Sequence, residues 1–120
     1  MTVQEGMSVN GLRAEFLSDT ANPQATTVKV AGEIVASNAS VLRDALEMAC
    51  EPGRRIVVDM EAVSFIDASG VNALVAVANH AGDAHQGLSI QRPSPNVRKI
   101  LGILGLSHYF GLDGQIEPRG

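Results

Sequence analysis

Apolar and polar residues begin to alternate at Leu12: Leu12, Ala14 and Phe16 are separated by Arg13 and Glu15, the two-residue period of a strand with one buried face. A turn-rich stretch from Ser18 to Gln24 follows, and a second strand is predicted over Thr26 to Ile34. Val28 and Val30 share one face of it, Thr27 and Lys29 the other, so a hairpin should join the two strands. The period then changes. Val41, Leu42, Ala45 and Ala49 recur at helical spacing behind Ser37 and Asn38, either of which can cap a helix, and Pro52-Gly53 ends it.

The run Ile56-Val57-Val58 is β-branched and too short for a helix of its own, which predicts a central strand covered on both faces. A strand reached from a helix implies a parallel crossover, and the pattern repeats with a helix over Val71 to Ala81 and a strand over Leu88 to Gln91. Ser94 followed by Pro95 marks the start of a last helix, because proline at the first helical position gives up an N–H that would be unpaired anyway. Val97, Ile100, Leu101 and Leu104 form its inward stripe, Gly105 is placed to close it, and Tyr109, Phe110 and Leu112 predict a short final strand. Residues 1–10 and 115–120 are polar and aperiodic and are expected to be tails around one domain spanning 11–114. The fold class is α/β, a single domain with a mixed, mostly parallel β-sheet flanked by α-helices.

Composition narrows the function classes. At 120 residues the chain supports one core, and with no Trp, one Tyr and three Phe that core is built from Val, Leu, Ile, Ala and Met. The formal net charge is -4 and the nine Lys and Arg are scattered, so no basic stripe is available for nucleic acid. Cys50 stands alone, which rules out an intramolecular disulfide and fits a reducing cytoplasm; a small buried helix side chain is the expectation for it. No window approaches the ~20 apolar residues of a membrane span, so a soluble cytoplasmic protein is expected.

His80 and His85 are five apart and do not share a helix face as a metal pair would. Gly53, Gly82, Gly87 and Gly105 punctuate elements and build no phosphate-cradling loop, and no Gly-x-Ser-x-Gly elbow is present. No cofactor, no metal and no enzyme activity are expected.

The most informative segment runs from Val57 to Val71, where a buried strand passes through a short loop into a helix, the kind of junction at which open α/β sheets display their sites. Asp67, Ser69 and Gly70 lie within four residues there. Ser69 falls where the chain enters the helix, with its hydroxyl exposed beside the unpaired N–H groups of the first turn. Two roles are open to it. It is a helix cap, with Asp67 as a second candidate, or it is an acceptor for a phosphate that the positive helix end would welcome. Asn72, Asn79, His80 and Asp83 mark either a docking face on the second helix or its solvated side.

The stretch Phe65-Ile66-Asp67-Ala68-Ser69-Gly70-Val71 resembles the signature of STAS domains, the sulfate-transporter and anti-sigma-factor-antagonist family. Val30-Ala31-Gly32-Glu33-Ile34 resembles the family's strand and turn before the first helix, and Pro95-Asn96-Val97-Arg98-Lys99-Ile100-Leu101 with Leu104-Gly105-Leu106 is similar to its last helix. These matches follow the family's order across residues 26 to 112.

The resemblance implies a STAS-like domain acting as a stand-alone anti-sigma factor antagonist. Such members, when unphosphorylated, bind a partner that is both anti-sigma factor and serine kinase, and so free a sigma factor. Phosphorylation ends the capture, and a phosphoserine phosphatase reverses it. Carried over, Ser69 is the acceptor and Asp67, Ala68 and Gly70 shape its loop; Ala68 replaces a neighbouring serine seen in many members. Glu33, Val35, Asn72 and Asn79 are the implied partner-facing positions. Val35 stands where many antagonists have an acidic residue, and Asn72 where a second glycine often follows the motif. The alternative is a constitutive STAS subunit of a larger assembly, such as a lipid-transport ATPase complex, with Ser69 only capping its helix.

Overall fold

Alternation places the sheet. In a computed structural model that describes residues 3–9, 11–18, 25–50, 55–84 and 87–112, Leu12, Ala14, Val28, Val30, Ile56, Val58, Leu88 and Ile90 are all buried, while Arg13 and Lys29 between them are exposed. The strands are β1 (Val3–Val9), β2 (Leu12–Ser18), β3 (Ala25–Ile34), β4 (Arg55–Ile66) and β5 (Leu88–Gln91). They lie side by side in chain order, with β1-β2 and β2-β3 antiparallel and β3-β4 and β4-β5 parallel. The expected mixed sheet and the β2-β3 hairpin pairing are therefore present. The turn expected over Ser18 to Gln24, Pro52-Gly53 and residues 115–120 lie wholly or largely outside the described residues.

Three helices complete the domain: α1 (Ala39–Met48), α2 (Ala68–Ala84) and α3 (Pro95–Ile103). α1 packs on β2 and β3, α2 on β4 and β5, and the two helices on each other, so they cover the same face of the sheet. Leu42, Ala45, Leu46, Leu74 and Val77 meet the strand residues in the shared core. α3 packs on β4 and starts as its sequence predicts: the Val97 N–H donates to Ser94 Oγ (3.4 Å), and Pro95 takes the first position. It closes with Gly105 N–H on the Gly102 carbonyl (3.1 Å) and Leu106 N–H on the Leu101 carbonyl (2.8 Å).

Five expectations need correction. Leu104, expected on the inward stripe of α3, is 50% exposed at the C-cap of that helix. β4 is not covered on both faces: Ile56 and Val58 are fully buried but Val57 between them is half-buried, because both crossover helices lie on one side. Val3–Val9, expected as a tail, pair with β2 along their whole length. Pairing at a sheet edge is carried by backbone groups and requires no apolar period. The stretch from Ser107 to Gly111 forms turns rather than a strand, with Leu112 N–H on the Ser107 carbonyl (2.8 Å), yet Phe110 and Leu112 are fully buried. Finally, Asn38 does not cap α1 by its side chain. Asn38 occupies the cap position, but its side chain turns back into the loop.

β4 carries two extra residues relative to β3, one between the Lys29-Asp59 and Ala31-Ala62 pairs and one between Gly32-Val63 and Glu33-Phe65. Such bulges bend a strand. A second feature pins the first bulge. Asp59, only 3% exposed, accepts from the Glu61 N–H (3.1 Å) and pairs with Arg92, which takes a left-handed φ of 51° just after β5. The hydrogen bond to Asp59 and the charges of Asp59 and Glu61 hold Arg92 even more firmly protonated than usual. Gly32 has φ +104°, and a Cβ there would run into the Gly11 carbonyl oxygen, so β3 passes the start of β2 at a distance open to glycine alone.

Candidate functional site

The ends of β3 and β4 meet at the start of α2. The Asp67 N–H donates to the Ile34 carbonyl (3.1 Å), tying the loop to β3, and the Ile66 N–H donates to Asn96 Oδ1 (3.0 Å), tying the end of β4 to α3. The Asp67 carboxylate then folds over the helix: its Oδ1 accepts from Ser69 N–H (2.9 Å) and Gly70 N–H (3.3 Å), while its carbonyl accepts from Val71 N–H (3.1 Å). Asp67 is therefore the cap of α2, and its negative charge sits at the positive helix end.

That settles which of the two candidates caps the helix. Ser69 lies in the first turn, and the described residues include no hydrogen-bond partner for its hydroxyl. Replacing Asp67 with Ala should cost about 1 kcal/mol, the usual loss of a helix cap, whereas Asp67→Asn should retain most of it. Thermal melts of the two variants check this: an Asp67→Ala midpoint unchanged from wild type would reassign the cap.

Ser69 is half-buried rather than fully exposed. It lines an open depression of about 240 Å³ between α1 and α2, together with Ala39, Ser40, Arg43, Asn72 and Ala73. Ser40 and Arg43 are spaced i, i+3 on α1, and Ser69 and Asn72 are spaced i, i+3 on α2, so each pair shares a helix face. Neither Ser40 nor Arg43 was anticipated from sequence, although Ser40, Arg43, Asp44 and Glu47 form an exposed stripe at helical spacing. The Arg43 Nε donates to Glu47 Oε2 at 3.2 Å in a pair whose side chains are 55% and 44% exposed.

Beneath this turn, Gly70 is buried, and a Cβ built on it would stand 2.6 Å from Ile34 Cγ2 and 2.6 Å from Ile66 Cγ1. The missing side chain lets the first turn of α2 settle onto the strand ends. Ala68 is exposed on the outer side of the same turn.

Of the positions read as partner-facing, Asn72 shares the depression with Ser69. Glu33, next to last in β3, is exposed, and Val35 in the following β3-α1 loop is half-buried; both lie outside the depression lining. The Val35 N–H donates to Asn38 Oδ1 (2.9 Å), and its carbonyl accepts from the N–H groups of Asn38 (3.0 Å) and Ala39 (2.8 Å). Asn79 is exposed but stands roughly 10 Å farther along α2 than Asn72, at 1.5 Å per residue. Its Oδ1 accepts from the Tyr109 hydroxyl, which joins it to the C-terminal turns.

Cys50 is half-buried against the core, with Sγ 3.6 Å from the Leu46 carbonyl; burial first, then the Glu47 charge, push its thiol pKa upward and away from reactivity. His80 and His108 are exposed, and His85 lies outside the described residues. Among the described residues no three His, Cys, Asp or Glu side chains gather as a metal site, and no helix is long and apolar enough to cross a membrane.

With this geometry in place, comparison with known proteins defines the class. The family profile described as "Mlab, STAS domain" matches residues 17–114. The chain belongs to the STAS-domain family. It is 32% identical over 90 residues to a STAS-domain containing protein of Pseudomonas aeruginosa (strain UCBPP-PA14), covering 75% of this chain and 89% of that one. Among solved structures, it resembles an anti-sigma factor antagonist from Mycobacterium paratuberculosis with a TM-score of 0.66 at 21% identity, covering 92% of this chain and 84% of that one. It also resembles the anti-sigma factor antagonist SpoIIAA in its unphosphorylated form, with a TM-score of 0.59 at 20% identity over 89% of this chain and 84% of that one. At these identities the two structural likenesses speak to the fold.

Proposed function

We propose that this protein is an anti-sigma factor antagonist whose binding is switched at Ser69. Unmodified, it binds an anti-sigma factor with serine kinase activity through the surface around Ser69, Asn72, Glu33 at the end of β3 and Val35 in the loop after it, and the sigma factor held by that partner is released. The kinase then transfers the γ-phosphoryl group of ATP to Ser69 Oγ, with ADP leaving and the hydroxyl proton passing to solvent, and the complex dissociates. A phosphoserine phosphatase restores the binding form. The protein acts in the cytoplasm as a ligand, without a cofactor and without chemistry of its own; among the described residues no histidine lines the depression to serve Ser69 as a base.

One observation carries this reading. Ser69 lines an open depression at the start of a helix whose capping is done by Asp67, so modifying its hydroxyl breaks no bond the fold depends on. The likeness to SpoIIAA, which is known in unphosphorylated and phosphorylated forms, supports it. A phosphate adds about -1.5 to -2 charges, and each unit pair at ~4 Å contributes roughly 1 kcal/mol in water and more where solvent is excluded. About 2 kcal/mol is already a thirtyfold change in affinity.

The test is to incubate the protein with its cognate kinase and ATP and to measure partner binding by Ser69→Ala and Ser69→Asp. Ser69→Ala should bind as wild type does and accept no phosphate, and Ser69→Asp should bind at least about tenfold more weakly. Wild-type affinity for Ser69→Asp defeats the switch. A stable complex with an ATPase subunit that ignores Ser69→Ala points instead to a constitutive subunit of a larger assembly.

A further inference from the structure

A phosphate on Ser69 needs a counter-charge, and the helix end does not supply it. The N–H groups of Ser69 and Gly70 are already taken by Asp67 Oδ1, so the phosphate meets an occupied cap and a carboxylate of its own sign only two residues away. Across the depression, α1 contributes Ser40 and Arg43 to the lining, and among the described residues Arg43 is the one cation there. Its present partner, Glu47, holds it weakly. The pair is exposed on both sides, and an i, i+4 pair of this kind contributes only a few tenths of a kcal/mol, less still with the cation on the N-terminal side. A phosphate dianion offers the same guanidinium a bidentate contact with about twice the charge.

We propose that Arg43 is the built-in receiver of phosphoserine 69: on modification its guanidinium leaves Glu47, pairs with the phosphate across the depression, and bridges α1 to α2. This rests on the reading of Ser69 as a phosphorylation site. The bridge makes the modified state more than a repulsive one. It closes the depression into which a partner side chain would reach, and it withdraws from the surface a cation that the unmodified protein displays there.

The experiment does not depend on the kinase. Phosphoserine is installed at position 69 during synthesis, and the second ionisation of the phosphate is followed by 31P NMR in otherwise wild-type protein, in Arg43→Gln and in Arg43→Lys. An adjacent guanidinium favours the dianion, so the wild-type midpoint should lie about half a pH unit or more below that of Arg43→Gln, with Arg43→Lys between them. The other charges near the pair, Asp67 on α2 and Asp44 and Glu47 on α1, are the same in all three proteins and cancel in the comparison. Equal midpoints in wild type and Arg43→Gln overturn the proposal, even where the kinase modifies Ser69 normally. A lowered wild-type midpoint sustains it, even where no kinase is found to act on Ser69 and the switch itself fails.

Discussion

Gly70→Ala should destabilise the domain by about 1 to 2 kcal/mol and Gly70→Val by about 3 kcal/mol or more, although both introduce better helix formers into the first turn of a helix. Two effects oppose each other. Alanine is favoured over glycine inside a helix by up to about 1 kcal/mol, and valine by somewhat less. Against this, the new Cβ would stand 2.6 Å from side-chain carbons of both Ile34 and Ile66, closer than real Cβ contacts allow. Both isoleucines are fully buried, in an interior that is normally close-packed. Forcing extra carbon into a packed core costs about 1 to 3 kcal/mol and sometimes more, so the clash outweighs propensity.

Urea unfolding should show a lower midpoint with an unchanged slope. In a double-mutant cycle with Ile34→Ala, the double variant should lose less stability than the sum of its single changes. A Gly70→Ala protein as stable as wild type would show that α2 has slack at this point. The consequence reaches the site, because Ser69 and Asn72 ride on the same turn. Relief of the clash lifts both of them relative to Ser40 and Arg43 on α1, and the depression changes shape.

Much of this was legible in the chain. The alternation at Leu12, Ala14 and Phe16 and at Val28 and Val30 identified the core face correctly, because an antiparallel pair with one solvated face writes its orientation into the sequence. The Ser94-Pro95 start of α3 was equally explicit. The run Ile56-Val57-Val58 misled because β-branching reports strand preference and not how many faces are covered; coverage was decided by where α1 and α2 pack.

The site was half legible. Asp67, Ser69 and Gly70 stood out by their spacing, but which one capped α2 depended on a single side-chain rotation: Asp67, one residue before the helix, reaches the N–H groups of Ser69 and Gly70. Ser40 and Arg43 lie some thirty residues away in sequence, and it is the packing of α1 on α2 that makes them neighbours of Ser69. Val3–Val9 escaped notice for a different reason: an edge strand held by backbone pairing leaves little trace in side-chain pattern.

The other large effect is expected at Asn38, a buried amide that does not cap its helix by its side chain. Its Oδ1 accepts from the Val35 N–H (2.9 Å) and its Nδ2 donates to the Glu33 carbonyl (2.9 Å), so one side chain, 1% exposed, satisfies two backbone groups, one at the end of β3 and one in the loop after it. Asn38→Ala removes both bonds. At about 1 to 3 kcal/mol for each buried group left without a partner, with the Glu33 end open to water, the loss should be about 2 to 4 kcal/mol. That is a large part of a typical domain stability of about 5 to 15 kcal/mol.

Asn38→Asp is the sharper probe. It keeps the acceptor for Val35 but sets a carboxylate oxygen against the Glu33 carbonyl, where only a protonated carboxyl can donate. Burial and that carbonyl raise the folded-state pKa of the introduced acid above its unfolded value near 3.9. The unfolded chain then binds fewer protons than the folded one, so stability falls as pH rises through this interval. Asn38→Asp should approach wild-type stability near pH 3 to 4 relative to wild type measured at the same pH, and fall to the level of Asn38→Ala or below by pH 7. Urea midpoints of the three proteins across that range decide it; a penalty for Asn38→Asp that does not vary with pH would mean that water, not the Glu33 carbonyl, meets the side chain. Because α1 begins at the next residue and Ala39 and Ser40 line the depression, the loop that Asn38 holds also fixes one wall of the Ser69 site.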